Sequence, residues 1–344
     1  MKKIEKDTRN YLFDNIKLFL IFLVVSVHLL AAVSEYTDTN FIVQLYTIGA
    51  CSFHMPLFMF ISGHFTKMEK SRSGAIDVLI LYVIAQIILL IADFGCTGKI
   101  SLADAFFPAF SMWYLAVLFV LRYVLQDIIK IKHVLMLSAF LSIVVMGVEM
   151  SGEMEKTVVK LFANAVYFLL GFYTTDEMIG QIRGHKWSKI VGGIMLLVGG
   201  ACIYAAIISK IVDPHILRIM MLRSTYVAKL DWGIWGYLLV ACILFLAIWM
   251  SFAIIIFFPK RKFFFTFLGK YTNTIYIGQA VLYLVFRQML KKHIIEGSGI
   301  ELYIWAMGLS VVCVIVFGNK YLSEGLKRIM GLIRRFGVEE EPCK

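Results

Sequence analysis

The chain has 344 residues, 60% of them hydrophobic, a mean hydropathy of +0.81 and a formal charge of +11. An apolar share so far above the roughly 45–50% of soluble domains excludes an ordinary soluble protein, and the lack of alternating segments of about ten residues excludes a membrane barrel. The basic residues gather at the ends of apolar runs, so the charge reads as topology and lipid contact and not as a nucleic-acid footprint.

In chain order, Met1 to Arg9 is a basic leader with Lys2, Lys3, Lys6 and Arg9, expected on the cytoplasmic side. Apolar runs near the length that crosses a bilayer then predict spans at 14–34, 42–66, 75–94, 106–126, 133–150, 158–175, 190–209, 232–257, 272–290 and 301–318. The expected fold is therefore all-α: a polytopic transmembrane helical bundle of about ten spans. Loops assigned inside carry about twice the Lys and Arg of those outside, although the outer loop 210–229 is itself basic; this predicts that both termini are cytoplasmic. No cleavable signal is expected, because the first apolar run is long and no small-residue cleavage site follows it. Gly192-Gly193 and Gly199-Gly200 predict a flat packing face on the seventh span. The region 1–319 forms one membrane domain. Residues 320–344 form a basic tail whose Leu322, Leu326, Ile329 and Ile333 predict an amphipathic helix on the inner leaflet. The six cysteines are scattered and read as small core residues, without disulfides or metal spacing.

Span 14–34 carries Asp14, Lys17 and His28, with Glu35 just beyond it. Each ionisable group costs roughly 2.5–3.5 kcal/mol within a span, so each needs a reason. Eleven residues separate Lys17 from His28, about 20° of rotation and about 16 Å of rise. Glu35 falls on the same stripe and Asp14 lies about 40° from it. Such a stripe is expected to face a bundle interior or a cavity, not lipid. His28 titrates near working pH and suits a general base or an acyl carrier, against the plain alternative of a core histidine bonded to a carbonyl. Glu35 either orients His28 or begins the outer loop, and Lys17 either binds a phosphate or snorkels. Pro56 and Gly63 predict a broken second span, with His54, Ser62 and His64 as candidate cavity residues or structural side chains. The two histidines lie about 80° apart on a helix and are not expected to share a metal. Trp113 and Tyr114 are candidate lining residues or members of an aromatic belt, and Arg122 is expected to pair or to snorkel to the inner face. Thr272, Asn273, Thr274 and Tyr276 give the ninth span a polar start, beside Lys260, Arg261 and Lys262, which grip an anionic ligand or fix topology.

Four stretches together resemble the membrane acyltransferase-3 family, in particular its fucose 4-O-acetylase-like branch. They are Arg9 to Lys17 running on to His28, Phe53-His54-Met55-Pro56-Leu57-Phe58 with Ile61-Ser62-Gly63-His64-Phe65, Trp113-Tyr114-Leu115, and Leu268-Gly269-Lys270 with Thr274-Ile275-Tyr276. The resemblance implies about ten spans, acetyl-CoA as a cytoplasmic acyl donor, and an acceptor hydroxyl on a sugar or cell-envelope glycan. It implies that His28 is catalytic; Asp14 and Glu35 are the candidates to support it, and Lys17 and Arg9, with Arg72 or Lys262, are expected to meet the donor's phosphates. It further implies that His54, Ser62, His64, Trp113, Tyr114, Tyr276 and Gln279 line the substrate path, without a metal, in a multi-pass protein of a bacterial plasma membrane. Three departures stand out: Lys17 occupies a position where many relatives have arginine, Gln279 one where a late histidine is common, and Leu81 one where proline is common. No extracytoplasmic hydrolase-like domain is evident, so transfer is expected to be direct or completed by a separate extracytoplasmic transferase. Two rival functions remain open at this point: a transporter or flippase with a similar cavity, and a membrane sensor of the same fold without chemistry.

Overall fold

The computed structural model describes residues 11–38, 40–99, 107–146, 153–208 and 233–337. The basic leader with Arg9, the 210–229 loop and Cys343 lie outside the described residues. Among the described residues there are thirteen α-helices and no strand: α1 (Leu12–Val33), α2 (Phe41–Cys51), α3 (His54–His64), α4 (Ser71–Thr97), α5 (Trp113–Ile128), α6 (Val134–Val145), α7 (Glu153–Tyr173), α8 (Asp176–Gly184), α9 (Ser188–Ile208), α10 (Ile234–Phe257), α11 (Thr272–Lys291), α12 (Gly299–Phe317) and α13 (Lys320–Gly337). Among the described residues, seven helical stretches are long and apolar enough to cross a membrane, or eight if α7 and α8, bent by 82°, make one broken span. Of the remaining expected spans, 133–150 is helical over the short α6, and 272–290 is α11, whose Thr, Asn and Gln residues lower its hydropathy.

α1 is the central element. Sixteen of its 22 residues are buried, so protein and not lipid surrounds it, as its polar stripe demands. It packs on α2, α3, α11 and α12. α1 and α11 run parallel. A Cβ on Gly269 would lie 2.0 Å from the Asp14 carbonyl oxygen, His28 bonds Gln279, and Glu35 pairs with Arg287. Asn15 fixes this arrangement at the lower end. Its amide donates to the carbonyls of Pro259 (3.0 Å) and Arg261 (2.9 Å), and its oxygen accepts from Thr266 Oγ1 at 2.6 Å. The basic run Lys260–Lys262 is thereby held against the start of α1, with the Lys262 ammonium 5.7 Å from the Tyr11 ring centre.

The second span is broken, as Pro56 requires. α2 ends at Cys51 and α3 begins at His54, which places Pro56 in the first turn of α3 where its missing N–H costs nothing. α3 and α7 touch backbone to backbone: a Cβ on Gly63 would lie 1.9 Å from the Phe168 carbonyl oxygen, and one on Gly171 1.9 Å from that of Phe60. Only glycine permits that approach. On α9, Gly192 and Gly199 face Ile256 and Met250 of α10, while Gly193 and Gly200 meet nothing within 4 Å. One glycine of each pair therefore makes the flat face. Cys202 and Cys242 are exposed on α9 and α10, so they are not core residues, whereas Cys51 and Cys313 are buried. α13 docks on α4 through Arg334, which pairs with Asp77 and donates to Ser73 Oγ at 2.7 Å. Leu326 packs inward with Met330, while Leu322, Ile329 and Ile333 stay exposed.

Candidate active site

His28 is half-buried near the upper end of α1, and its side chain lines a cavity with polar walls inside the bundle. The cavity has a volume of about 160 Å³. A single water needs roughly 10–15 Å³ of such space, so there is room for a small reacting group. Val24, Val27 and Ala31 line the wall on either side of His28, and Cys51, Ser52, His54, Met55 and Pro56 enter at the α2–α3 break. Phe110, Ser111 and Trp113 come from the start of α5, with Lys160 and Tyr167 from α7. Backbone that is not helical is tolerated at this depth only where it is covered or lines a cavity, and the break between α2 and α3 does the latter.

His28 Nδ1 lies 3.0 Å from Gln279 Oε1. The Gln279 amide nitrogen in turn donates to Ser111 Oγ at 3.1 Å. An amide oxygen can only accept, so Nδ1 of His28 carries the proton and Nε2 is the basic nitrogen. Gln279 is 1% exposed, which shields this bond from water and makes its loss costly. The ring is also packed against Phe110, 4.6 Å between ring centres, and Phe110 stacks on Tyr283 at 4.0 Å. Bonded and packed in this way, the imidazole has one orientation.

His54 is buried, donates from Nδ1 to the Ala50 carbonyl at 2.7 Å, and lines the same cavity. Its structural task is plain: Ala50 lies at the helix break, where carbonyls lose their helical partners. The same tautomer logic leaves its Nε2 as an acceptor. Tyr276 is buried, and its hydroxyl donates to the Ser111 carbonyl. Tyr276, Val24 and Met55 line both this cavity and a smaller one of about 50 Å³ below it, bounded by Ile21, Phe58, Tyr114, Leu115, Thr272 and Asn273. Asn273 is exposed and Thr272 partly so. Tyr114 meets Tyr276 at 5.9 Å between ring centres and exchanges a 2.8 Å hydrogen bond with Ser62. The two cavities thus follow the α1 face Ile21–Val24–His28 from the lower rim to the imidazole.

The other sequence candidates fall elsewhere. Asp14 is buried at the lower end of α1, about 21 Å of helix from His28, with Lys17 Nζ 3.4 Å from its carboxylate. Lys17 stands one turn below Ile21 on the cavity-lining face, and its ammonium lies 5.4 Å from the Phe65 ring centre. Glu35 is exposed beyond the end of α1 and bonds Arg287 at 2.8 Å. Arg72 is exposed and bonds Asp127 at 3.0 Å. Ser62 and Gln279 do not line either cavity but hold residues that do, Tyr114 and His28. His64 does neither. Nδ1 donates to the Thr174 carbonyl at 2.7 Å and Nε2 lies 3.1 Å from Asp176, so His64 braces the bend between α7 and α8. Sequence reasoning missed Ser111 and Lys160. Lys160 Nζ sits 5.2 Å from the Trp113 ring centre and is the one formally charged residue among those described as lining the cavity. A lysine inside the predicted span 158–175 was itself a signal.

An all-helical bundle wrapped around one buried polar helix, with a histidine-lined cavity inside it, is a polytopic helical membrane protein. A family profile described as an acyltransferase domain matches residues 10–319, nearly the whole chain, and the protein therefore belongs to the acyltransferase-3 family of membrane acyltransferases. Comparisons with curated proteins and with solved structures gave no match.

Proposed function

We propose that this protein is a ten-span membrane O-acetyltransferase with cytoplasmic termini, moving an acetyl group from cytoplasmic acetyl-CoA to a hydroxyl of a sugar or cell-envelope glycan in a bacterial plasma membrane. The observation that carries the reading is a cavity-lining His28 held from behind by Gln279, itself bonded to Ser111, in a family of acyltransferases. The donor's phosphates stay at the lower rim, near Lys17, Arg9, Arg72 and Lys262, and its thioester rises through the smaller cavity past Tyr114 and Tyr276. In the larger cavity His28 Nε2 takes the proton of the acceptor hydroxyl. The oxygen attacks the thioester carbonyl, the C–S bond breaks, and the proton passes from the imidazolium to the departing thiolate. Gln279 holds Nδ1 throughout. Asp14 keeps Lys17 extended at the rim, and Glu35 with Arg287 ties the upper ends of α1 and α11. Trp113 and Lys160 meet the acceptor. The inner-leaflet lipids contact α13.

The purified protein, incubated with acetyl-CoA and an envelope glycan fraction, should release CoA and acetylate the glycan. Comparative glycan mass analysis of a strain lacking the gene should show the loss of one acetyl group per modified residue. A protein that neither binds nor turns over acetyl-CoA would overturn the proposal.

A further inference from the structure

We infer that Arg122 is a phosphate-binding residue, set between α4 and α5 on the side where α1 begins. Arg122 lies within the membrane-crossing part of α5, about 9 Å of helix before its end at Ile128. The guanidinium packs over Gly74, with Nη1 3.6 Å from where a Cβ would stand. Its Nε is buried and has no hydrogen-bond partner, and among the described residues no carboxylate lies within salt-bridge distance of Arg122. The groups that could have met it are engaged elsewhere. The Ser71 hydroxyl donates to the Arg122 carbonyl, and Asp77, the carboxylate near it, is paired with Arg334 of α13.

Arg183 shows what a structural arginine does in this fold. Its guanidinium caps the end of α10, donating to the carbonyls of Ile255, Ile256 (3.0 Å) and Phe258 (2.7 Å). Arg122 caps nothing. Arg122 is half-buried; its Nε is sealed from water without a partner, as is the Nε of Arg183, but where the Nη groups of Arg183 are spent on carbonyls those of Arg122 are left for an anion from outside the chain to complete. Its planar fork matches the oxygens of a phosphate. The site lies about two turns of α5 below Tyr114, a wall of the smaller cavity, and the Gly74 it packs over follows Arg72 and Ser73 on α4, the latter bonded by Arg334. That setting suits a phosphate of the acyl-CoA donor, which rests on the acyltransferase reading above, or the phosphate of an inner-leaflet lipid.

The test uses the full chain in nanodiscs. Binding of CoA and of pantetheine, which lacks phosphate, is measured for the wild type and Arg122→Gln in phosphatidylcholine. The melting temperature is then followed as phosphatidylglycerol is added. A donor phosphate predicts that Arg122→Gln weakens CoA by about tenfold and leaves pantetheine unchanged. A lipid phosphate predicts that phosphatidylglycerol raises the wild-type melting temperature and that the variant loses this response. Equal CoA binding and equal phosphatidylglycerol response in both proteins overturn the inference. A wild type that binds neither CoA nor pantetheine defeats the acetyl-CoA reading, and the lipid response alone then decides for or against Arg122. Should Arg122→Gln fail to fold, Arg122→Lys, which keeps the charge and loses the fork, carries the same comparison.

Discussion

Replacing Gln279 by methionine isolates what the amide does for His28. Methionine has nearly the same volume, so no cavity opens, but both hydrogen bonds vanish: the 3.0 Å bond to His28 Nδ1 and the 3.1 Å bond to Ser111 Oγ. The Ser111 hydroxyl can rotate to another acceptor, whereas the His28 ring, packed at a tilt against Phe110, loses the acceptor that holds its Nδ1–H. An orphaned buried donor costs about 1–3 kcal/mol. If that cost falls on the imidazolium formed in the transition state, turnover drops by about 5- to 150-fold at 1.36 kcal/mol per tenfold. The assay is release of radiolabelled acetate from acetyl-CoA by the purified variant, with its melting temperature recorded alongside. Gln279→Glu, which keeps an acceptor for Nδ1, should retain more turnover than Gln279→Met. Wild-type turnover in a folded Gln279→Met variant would refute the claim that Gln279 sets the imidazole.

Other variants separate scaffold from site. Gly63→Ala and Gly171→Ala each push a Cβ into the opposing backbone, and each should lower stability in detergent by about 1–3 kcal/mol or prevent folding; unchanged melting would contradict the close approach of α3 and α7. His64→Ala should cost about 1–2 kcal/mol of stability by freeing the Thr174 carbonyl, while turnover per folded molecule stays at the wild-type level. A specific loss of turnover would return His64 to the substrate path. Glu35→Gln breaks only an exposed pair and should change stability by less than about 1 kcal/mol and turnover hardly at all. A large loss of turnover would mean that Glu35 acts on His28 in a state with a different upper end of α1.

Much of the scaffold was legible because its causes are local. The polar stripe of Lys17 and His28 on an apolar helix required a protein-lined surround, and α1 has one. Pro56 required a break, and α2 gives way to α3 just ahead of it. The glycine repeat of α9 required a close neighbour, although only the placement of Ile256 and Met250 on α10 decides that Gly192 and Gly199 make the contact. The site was less legible because its bonds span the chain: His28 and Gln279 are 251 residues apart, and Tyr276 reaches Ser111 across 165. A sequence names the imidazole but not the side chain that fixes its tautomer. It equally gives no sign that His64 is spent on the α7–α8 bend while His54 faces the cavity, since both histidines sit in one apolar motif.

The most direct test is acetyl transfer by the full chain with His28 replaced by alanine. Reconstituted with radiolabelled acetyl-CoA and envelope glycan, the variant should insert, melt near the wild-type temperature and still bind CoA, yet leave the glycan unlabelled. Label reaching the glycan at the wild-type rate would remove His28 from the chemistry, and the proposed mechanism with it.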